Sequence, residues 1–219
     1  MRKLMVLPMV GLLVLAVAAP VAAKPNVSNT SGGGESISGE WYDGNTYGYV
    51  SVGEETNGGG FGFIYQETGT WVLCDPAPGG GKGAQAADDT GPGDGYYGFV
   101  GTRTSGYTDS VQVTLSRRLA TGSATGQIEL TEETVDECLG FYDKESLGVV
   151  DLKVNVTGVG SVLSFRSRST YKIPSEFNGH SSYSGKERAA TGSVDAGSIS
   201  AIFDFAYMTQ VSWTDHINS

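Results

Sequence analysis

Two histidines and 24 carboxylates frame the chemistry open to this chain. His180 sits in a Gly/Ser-rich stretch and His216 near the C-terminal end. No serine lies in a G-x-S-x-G elbow, so the sequence offers no ready turn for a hydroxyl nucleophile, although a triad is assembled in space. Paired carboxylates offer a more workable route. Extracellular β-proteins can hydrolyse polysaccharides with two Asp or Glu residues facing each other across a cleft. Glu40, Glu67, Glu129, Asp151 and Asp204 fall on strand-like segments. They form no catalytic pattern, and a chain this rich in carboxylates places some on polar strand faces in any case. Asp88, Asp89 and Asp94, in DDTGPGDG, supply the oxygen ligands and glycines that calcium accepts, without EF-hand spacing. A solvated acidic loop is the simpler reading. Two distant cysteines and two isolated histidines do not make a zinc set, and no cofactor is expected.

Binding chemistry is better represented. Glycine alternates with aromatics in Tyr47-Gly48-Tyr49, Phe61-Gly62-Phe63-Ile64-Tyr65 and Tyr96-Tyr97-Gly98-Phe99. In a strand, the rings of the first two segments share one face and the glycines take the other. Phe61 and Phe63 are expected in the core. Tyr42, Tyr47, Tyr49, Tyr96 and Tyr97 carry polar tips, tolerate half-exposure and suit a platform for sugar rings or a protein surface. Arg166, Arg168 and Lys172 form a basic row in an acidic chain and could grip an acidic polymer. The simpler expectation is a solvated face with ion pairs to Asp151 or its neighbours.

The chain also says nearly the same thing twice. RLATGS (118–123) recurs as RAATGS (188–193), and Gly126-x-Ile128 aligns with Gly197-x-Ile199 if one residue is inserted. Neither copy carries a base, thiol or carboxylate, so the motif reads as architecture. It describes a basic residue, small residues that admit a close neighbour, a turn and a new strand. Arg118 and Arg188 are expected to occupy equivalent places in two similar β-units.

These side chains need elements to position them. Arg2 and Lys3, the apolar run Leu4 to Ala19, Pro20 and Val21-Ala22-Ala23 read as a signal peptide over 1–23. The product is expected to be secreted, with no membrane insertion after cleavage. Of 14 Lys and Arg, Arg2 and Lys3 leave with the signal, so 12 face 24 Asp and Glu for a net −12. That charge disfavours nucleic acid. Cys74 and Cys138 are expected to form a disulfide in an oxidising compartment.

Residues 24–36 lack apolar periodicity and read as a flexible tail. Residues 37–219 read as one β domain, built of one unit or of two similar units meeting near 135–147. Strands are expected near 38–42, 46–53, 61–66, 69–74, 96–103, 109–117, 127–132 and 188–194. A hairpin is expected over 148–173, turning at Gly158-Val159-Gly160. In the last strand, the odd positions from Ile199 to Trp213 are expected to face the core, while Ile202, Ala206 and Met208 interrupt the polar even face and suggest that part of it is covered too. Residues 75–95 and 174–187 read as long and irregular. Short strands with glycine-rich turns imply an all-β, two-sheet antiparallel sandwich, jelly-roll-like or of two similar units.

Gly39-Glu40-Trp41-Tyr42 resembles the G-x-W-Y opening of the lipocalins and of the avidin family. That resemblance covers four residues and implies the alternative architecture, a closed up-and-down barrel. The functional expectation is a secreted, non-catalytic binding or structural protein directed at a polysaccharide or cell-surface component. The alternative is a glycan-degrading hydrolase with a carboxylate pair.

Overall fold

The structure is a computed structural model that describes residues 28–56, 58–74, 96–173 and 177–218. The segment read as a signal peptide and the stretch bearing Asp88, Asp89 and Asp94 lie outside the described residues. The described chain is strand and turn: β1 (Ser28–Asp43), β2 (Thr46–Glu55), β3 (Gly60–Cys74), β4 (Tyr96–Thr108), β5 (Val111–Leu115) and β6 (Thr121–Asp136). There follow β7 (Phe141–Gly158), β8 (Leu163–Ile173), β9 (Phe177–Ala196), β10 (Ile199–Ile202) and β11 (Phe205–Asn218).

Every pairing is antiparallel, and the pairings return to their start. β1 pairs β2, β2 pairs β3, β3 pairs β4 and β4 pairs β6. β6 then pairs β7, β7 pairs β9, β9 pairs β11, and β11 pairs β1. The three short partners extend this ring: β5 continues β4 along β6, while β8 and β10 continue β7 and β11 along β9.

Alternation explains the inner face. In β7, Leu152, Val154 and Val156 are buried while Asp151, Lys153 and Asn155 are exposed. Ile37, Val52, Ile64, Ile128 and Met208 join them in one core. β5 lies against this core with Val111, Val113 and Leu115 buried. Its free edge is satisfied by side chains: the Val113 amide donates to Glu54 Oε2 at 2.7 Å and the Leu115 amide to Glu35 Oε2 at 3.0 Å. Glu35 and Glu54 face each other in register. Each carboxylate therefore stands in for a missing strand, which offsets the cost of a desolvated amide.

Several expectations from sequence need correction. Residues 28–36, read as flexible tail, are the first half of β1 and pair with β11. Their apolar partner comes from elsewhere: a Cβ on Gly32 would lie 2.6 Å from the Trp213 ring. The stretch 174–187 is strand from Phe177 onward. Hydroxyl contacts tie it across, Ser182 Oγ to Thr214 Oγ1 at 2.7 Å and Ser184 Oγ to Ser212 Oγ at 3.0 Å. A polar, glycine-containing strand carries no hydrophobic period to read.

The expected 148–173 hairpin is not a pair of strands. β7 and β8 run on in one direction, each paired to β9. The last strand breaks at Phe203-Asp204, and its phase inverts there. Ile199 and Phe203 are buried, but beyond the break Ala206 and Met208 are inside, while Phe205 and Tyr207 are exposed.

The repeat has a partial explanation. Thr121, Gly122 and Ser123 pair with Thr157, Val156 and Asn155 from one side, and Thr191, Gly192 and Ser193 pair with the same three from the other. A Cβ on Gly122 would come 3.0 Å from Val156 Cγ2, and one on Gly192 2.8 Å from Val156 Cα. Both copies place a glycine opposite Val156, where an added Cβ would crowd its neighbours. Equivalence ends there. Arg118 lies in the turn before β6, whereas Arg188 lies within β9. The first copy continues straight through Ile128, while the second turns at Gly197. Within 135–147, residues 135–136 and 141–146 pair across the β6–β7 hairpin, 137–140 form its turn, and Leu147 falls at a register shift.

Candidate functional site

The outer face of β1–β4 is built from the same alternation that fills the core. In β1, Ile37 and Trp41 point inward, so Glu40 and Tyr42 point outward. Register then aligns Glu40 with Tyr49, Tyr49 with Tyr65, and Tyr42 with Tyr47. The rings touch. Tyr42 and Tyr47 lie 5.0 Å apart between centroids, Tyr47 and Tyr65 6.5 Å, and Tyr49 and Phe63 6.4 Å. This spacing is that of cross-strand aromatic pairs, each worth about 0.5–1.5 kcal/mol beyond area burial.

Carboxylates line this tyrosine run. Tyr65 donates its hydroxyl to Glu67 Oε2 at 2.6 Å, and the Tyr42 amide donates to Asp204 Oδ2 at 2.6 Å. Arg103 closes one side. It bonds Glu137 at 3.1 Å, lies 3.8 Å from Glu67 and stacks over Phe99 at 4.6 Å. Three of the five carboxylates singled out from sequence, Glu40, Glu67 and Asp204, thus gather here. Glu129 pairs in register with Tyr107, and Asp151 with Gln127.

Three of the phenols are made less acidic than a free tyrosine. Burial, then the nearby Glu40, raises the pKa of Tyr42 and of Tyr47. Tyr65 is pushed up to about 12, first by burial and then by its hydrogen bond to Glu67. Glu137 is held below the usual carboxylate range, chiefly by the hydrogen bond from the Phe99 amide. The sign for Tyr65 follows. An unfolded tyrosine ionises near 10.0 and the folded one near 12, so the folded state keeps the proton longer. Its contribution is complete below the lower value and is lost as pH rises through the upper one. Tyr65→Phe is therefore expected to flatten the fall in stability across that alkaline window, measured by urea unfolding at a series of pH values. An unchanged slope would count against the assignment.

Of the five tyrosines singled out from sequence, three come together: Tyr42, Tyr47 and Tyr49. Tyr97 lies on the same outward parity but at the far end of β4, opposite Leu73. Tyr96 stands apart, its hydroxyl donating to the Glu137 carbonyl at 3.0 Å. Phe61 and Phe63, expected in the core, are 40% and 37% exposed. Parity put them on one face correctly, but the face is the outer one, because Gly62 and Ile64 point inward. Tyr65 and Arg103 were missed. Tyr65 continues the Phe61–Phe63 alternation, which was the available signal; nothing local marks Arg103.

Arg166, Arg168 and Lys172 lie exposed on β8. Among the described residues, none of them has a carboxylate within 4.0 Å, and Asp151 is not their partner. The two histidines, isolated in sequence, are cross-strand neighbours. His180 Nδ1 contacts Thr170 Oγ1 at 3.3 Å, and His216 Nδ1 contacts Asn29 Oδ1. No group of three His, Cys, Asp or Glu placed to hold a metal ion occurs among the described residues. Cys74 and Cys138 form the disulfide.

Fold and surface together define an all-β antiparallel protein with one disulfide and an outward tyrosine face. No protein-family model, curated protein or solved structure matches the chain.

Proposed function

We propose that this chain is an exported, non-catalytic binding module that takes a neutral polysaccharide on the tyrosine face of β1–β3. The observation that carries this reading is the contiguous Tyr42–Tyr47–Tyr65 run flanked by Glu40 and Glu67. Neutral phenol rings stack on the apolar faces of sugars, and adjacent carboxylates accept hydrogen bonds from sugar hydroxyls. Export is supported by the basic-then-apolar N-terminal segment ending in Val21-Ala22-Ala23. A disulfide, which persists in oxidising compartments, agrees with it.

In this reading the pairing ring is one closed barrel rather than two facing sheets. Its support is the unbroken antiparallel pairing from β1 around to β11. Amide exchange tests it: slow exchange at both the β7–β9 and β11–β1 seams fits a barrel, and a row of fast edge amides at either seam fits a sandwich.

The functional test is a glycan array followed by calorimetry on the best neutral ligand. Tyr47→Ala is expected to weaken binding about tenfold, the loss of one stacked ring, while Tyr47→Phe retains most of the affinity. An array without a neutral hit, or an alanine variant that binds as well as the parent, would overturn the assignment. Release of new reducing ends would put a carboxylate-pair hydrolase in its place.

A further inference from the structure

We infer that a second face of this protein, along β8 and β9, binds the strand of an acidic polysaccharide through its sulfate or carboxylate groups. Register creates this face. Lys186 and Arg188 of β9 share the parity of Ser182 and Ser184, which pair directly with Arg168 and Arg166 of β8; Lys172 follows opposite Asn178. Direct cross-strand partners point to the same side. The cations therefore form a strip from Arg188 to the level of Lys172, about 33 Å at 3.3 Å per residue.

The turn before β6 extends the strip at one end. Leu119 is fully buried with φ 52°, a left-handed conformation unusual for a side chain of its size. Ser116 holds it there: Leu119 N–H donates to Ser116 O at 2.7 Å, and Ser116 Oγ accepts the Ala120 and Thr121 amides at 2.8 and 2.9 Å. Arg188 Nη1 clasps the turn, 3.3 Å from the carbonyls of both Arg118 and Leu119. The result is a hollow of about 360 Å³ lined by Arg117, Arg118, Lys186 and Arg188 with Gly160 and Val162. The repeated hexapeptides thus bring their arginines into one site.

Charge points to the ligand. Seven of the 12 basic residues beyond residue 23 lie on this strip or its turn, in a segment that also carries all 24 carboxylates. Among the described residues, no carboxylate lies within 4.0 Å of any of the seven, since both ion pairs present belong to Arg103. The nearest carboxylate on the same face by register is Glu35, beyond Gln210 from Lys186. Its oxygens are taken by the Leu115 amide and the Gln210 side chain. An unpaired row of like charges is relieved by an anionic chain laid along it.

The strip favours a polysaccharide over a nucleic acid. By register it carries no Phe, Tyr or Trp on which bases would stack. Between its cations lie hydroxyls, Ser182, Ser184 and Ser212, suited to sugar hydroxyl groups. The inference does not rest on the tyrosine-face reading, because the two sites point to opposite sides of the sheet.

The test is direct binding of the chain to dextran sulfate, polygalacturonate, neutral dextran and single-stranded DNA at low and high NaCl. Binding to at least one acidic polysaccharide, weakened by salt, is expected, and which one binds tells sulfate from carboxylate recognition. Arg166→Ala/Arg168→Ala and, separately, Arg118→Ala/Lys186→Ala are each expected to weaken it about tenfold or more, as for two lost charge contacts. These are exposed side chains, and their folding is checked by unchanged thermal unfolding. Tyr47→Ala should leave this binding unchanged. The inference fails if neither acidic polymer binds, if both double variants bind like the parent, or if DNA binds as tightly as the acidic polysaccharide.

Discussion

Trp41→Ala is expected to destabilise the protein by about 3–5 kcal/mol, the usual cost of deleting a buried aromatic ring. Trp41 is 3% exposed and sits in register against Gly48, whose ideal Cβ would lie 1.9 Å from the ring. Phe203 packs beside it, 6.2 Å between centroids, and itself covers Gly39. The two rings cover two glycines at one end of the core. Removing the indole leaves both a cavity and a bare glycine at position 48.

For a domain of this size, that loss corresponds to a fall of roughly 6–20 °C in Tm. Trp41→Phe should cost much less, because it keeps a ring and removes an indole N–H that is buried without a hydrogen-bond partner. Gly48→Ala should cost about 1–3 kcal/mol by overpacking. The two sites touch, so the pair Trp41→Ala/Gly48→Ala should lose less than the sum of the singles. Chemical unfolding of the four variants checks this cycle. A Trp41→Ala cost below about 1 kcal/mol would show that the ring does not hold the core.

Breaking the Cys74–Cys138 disulfide is expected to cost about 4 kcal/mol. The bridge joins residues 64 apart, so it removes a large amount of loop freedom from the unfolded chain. Its position adds a structural role. Cys74 ends β3 and Cys138 lies in the β6–β7 turn, so the bridge passes over the start of β4, where a Cβ on Gly98 would lie 2.7 Å from Cys74 Sγ. The end of β4 that pairs with β3 alone is thereby held to β6 as well. Cys74→Ser/Cys138→Ser, or reduction with dithiothreitol, should lower Tm by roughly 8–16 °C. A thermal scan with and without reductant decides it. Equal Tm values would remove the bridge from the account of stability, and two reactive thiols in the unfolded, unreduced chain would remove the bridge altogether.

How much of this was legible in the sequence depends on the range of the interaction. Strand identity in β2, β3 and β7 was readable because Val, Tyr and Phe alternate with small or polar residues at period two. The grouping of Tyr47 with Tyr49, and of Phe61 with Phe63, was readable for the same reason. The first half of β1 and the first half of β9 were not. Their glycines, serines and histidines carry no apolar period, and their partners lie on β11, which is distant in sequence from β1. The basic row on β8 was visible, but its junction with Arg117, Arg118, Lys186 and Arg188 was not, because β9 and the Ser116 turn meet only in the folded chain. The histidine pair was hidden in the same way.

The sequence by itself determined the all-β antiparallel class, the disulfide partners and which neighbouring side chains share a face. Those are consequences of composition and of the two-residue pleat, both local. Only the tertiary structure decided which face is inside. Phe61, Phe63, Phe205 and Tyr207 are larger than Gly62, Ala206 and Met208 or comparable to them, yet they face out, and the break at Phe203-Asp204 inverts the parity of the final strand. The core is filled by Trp41, Phe203 and the aliphatic residues of other strands, and the two rings leave no room for a side chain at Gly48 and Gly39. That competition for volume is set by residues far apart in the chain, so no local pattern carries it.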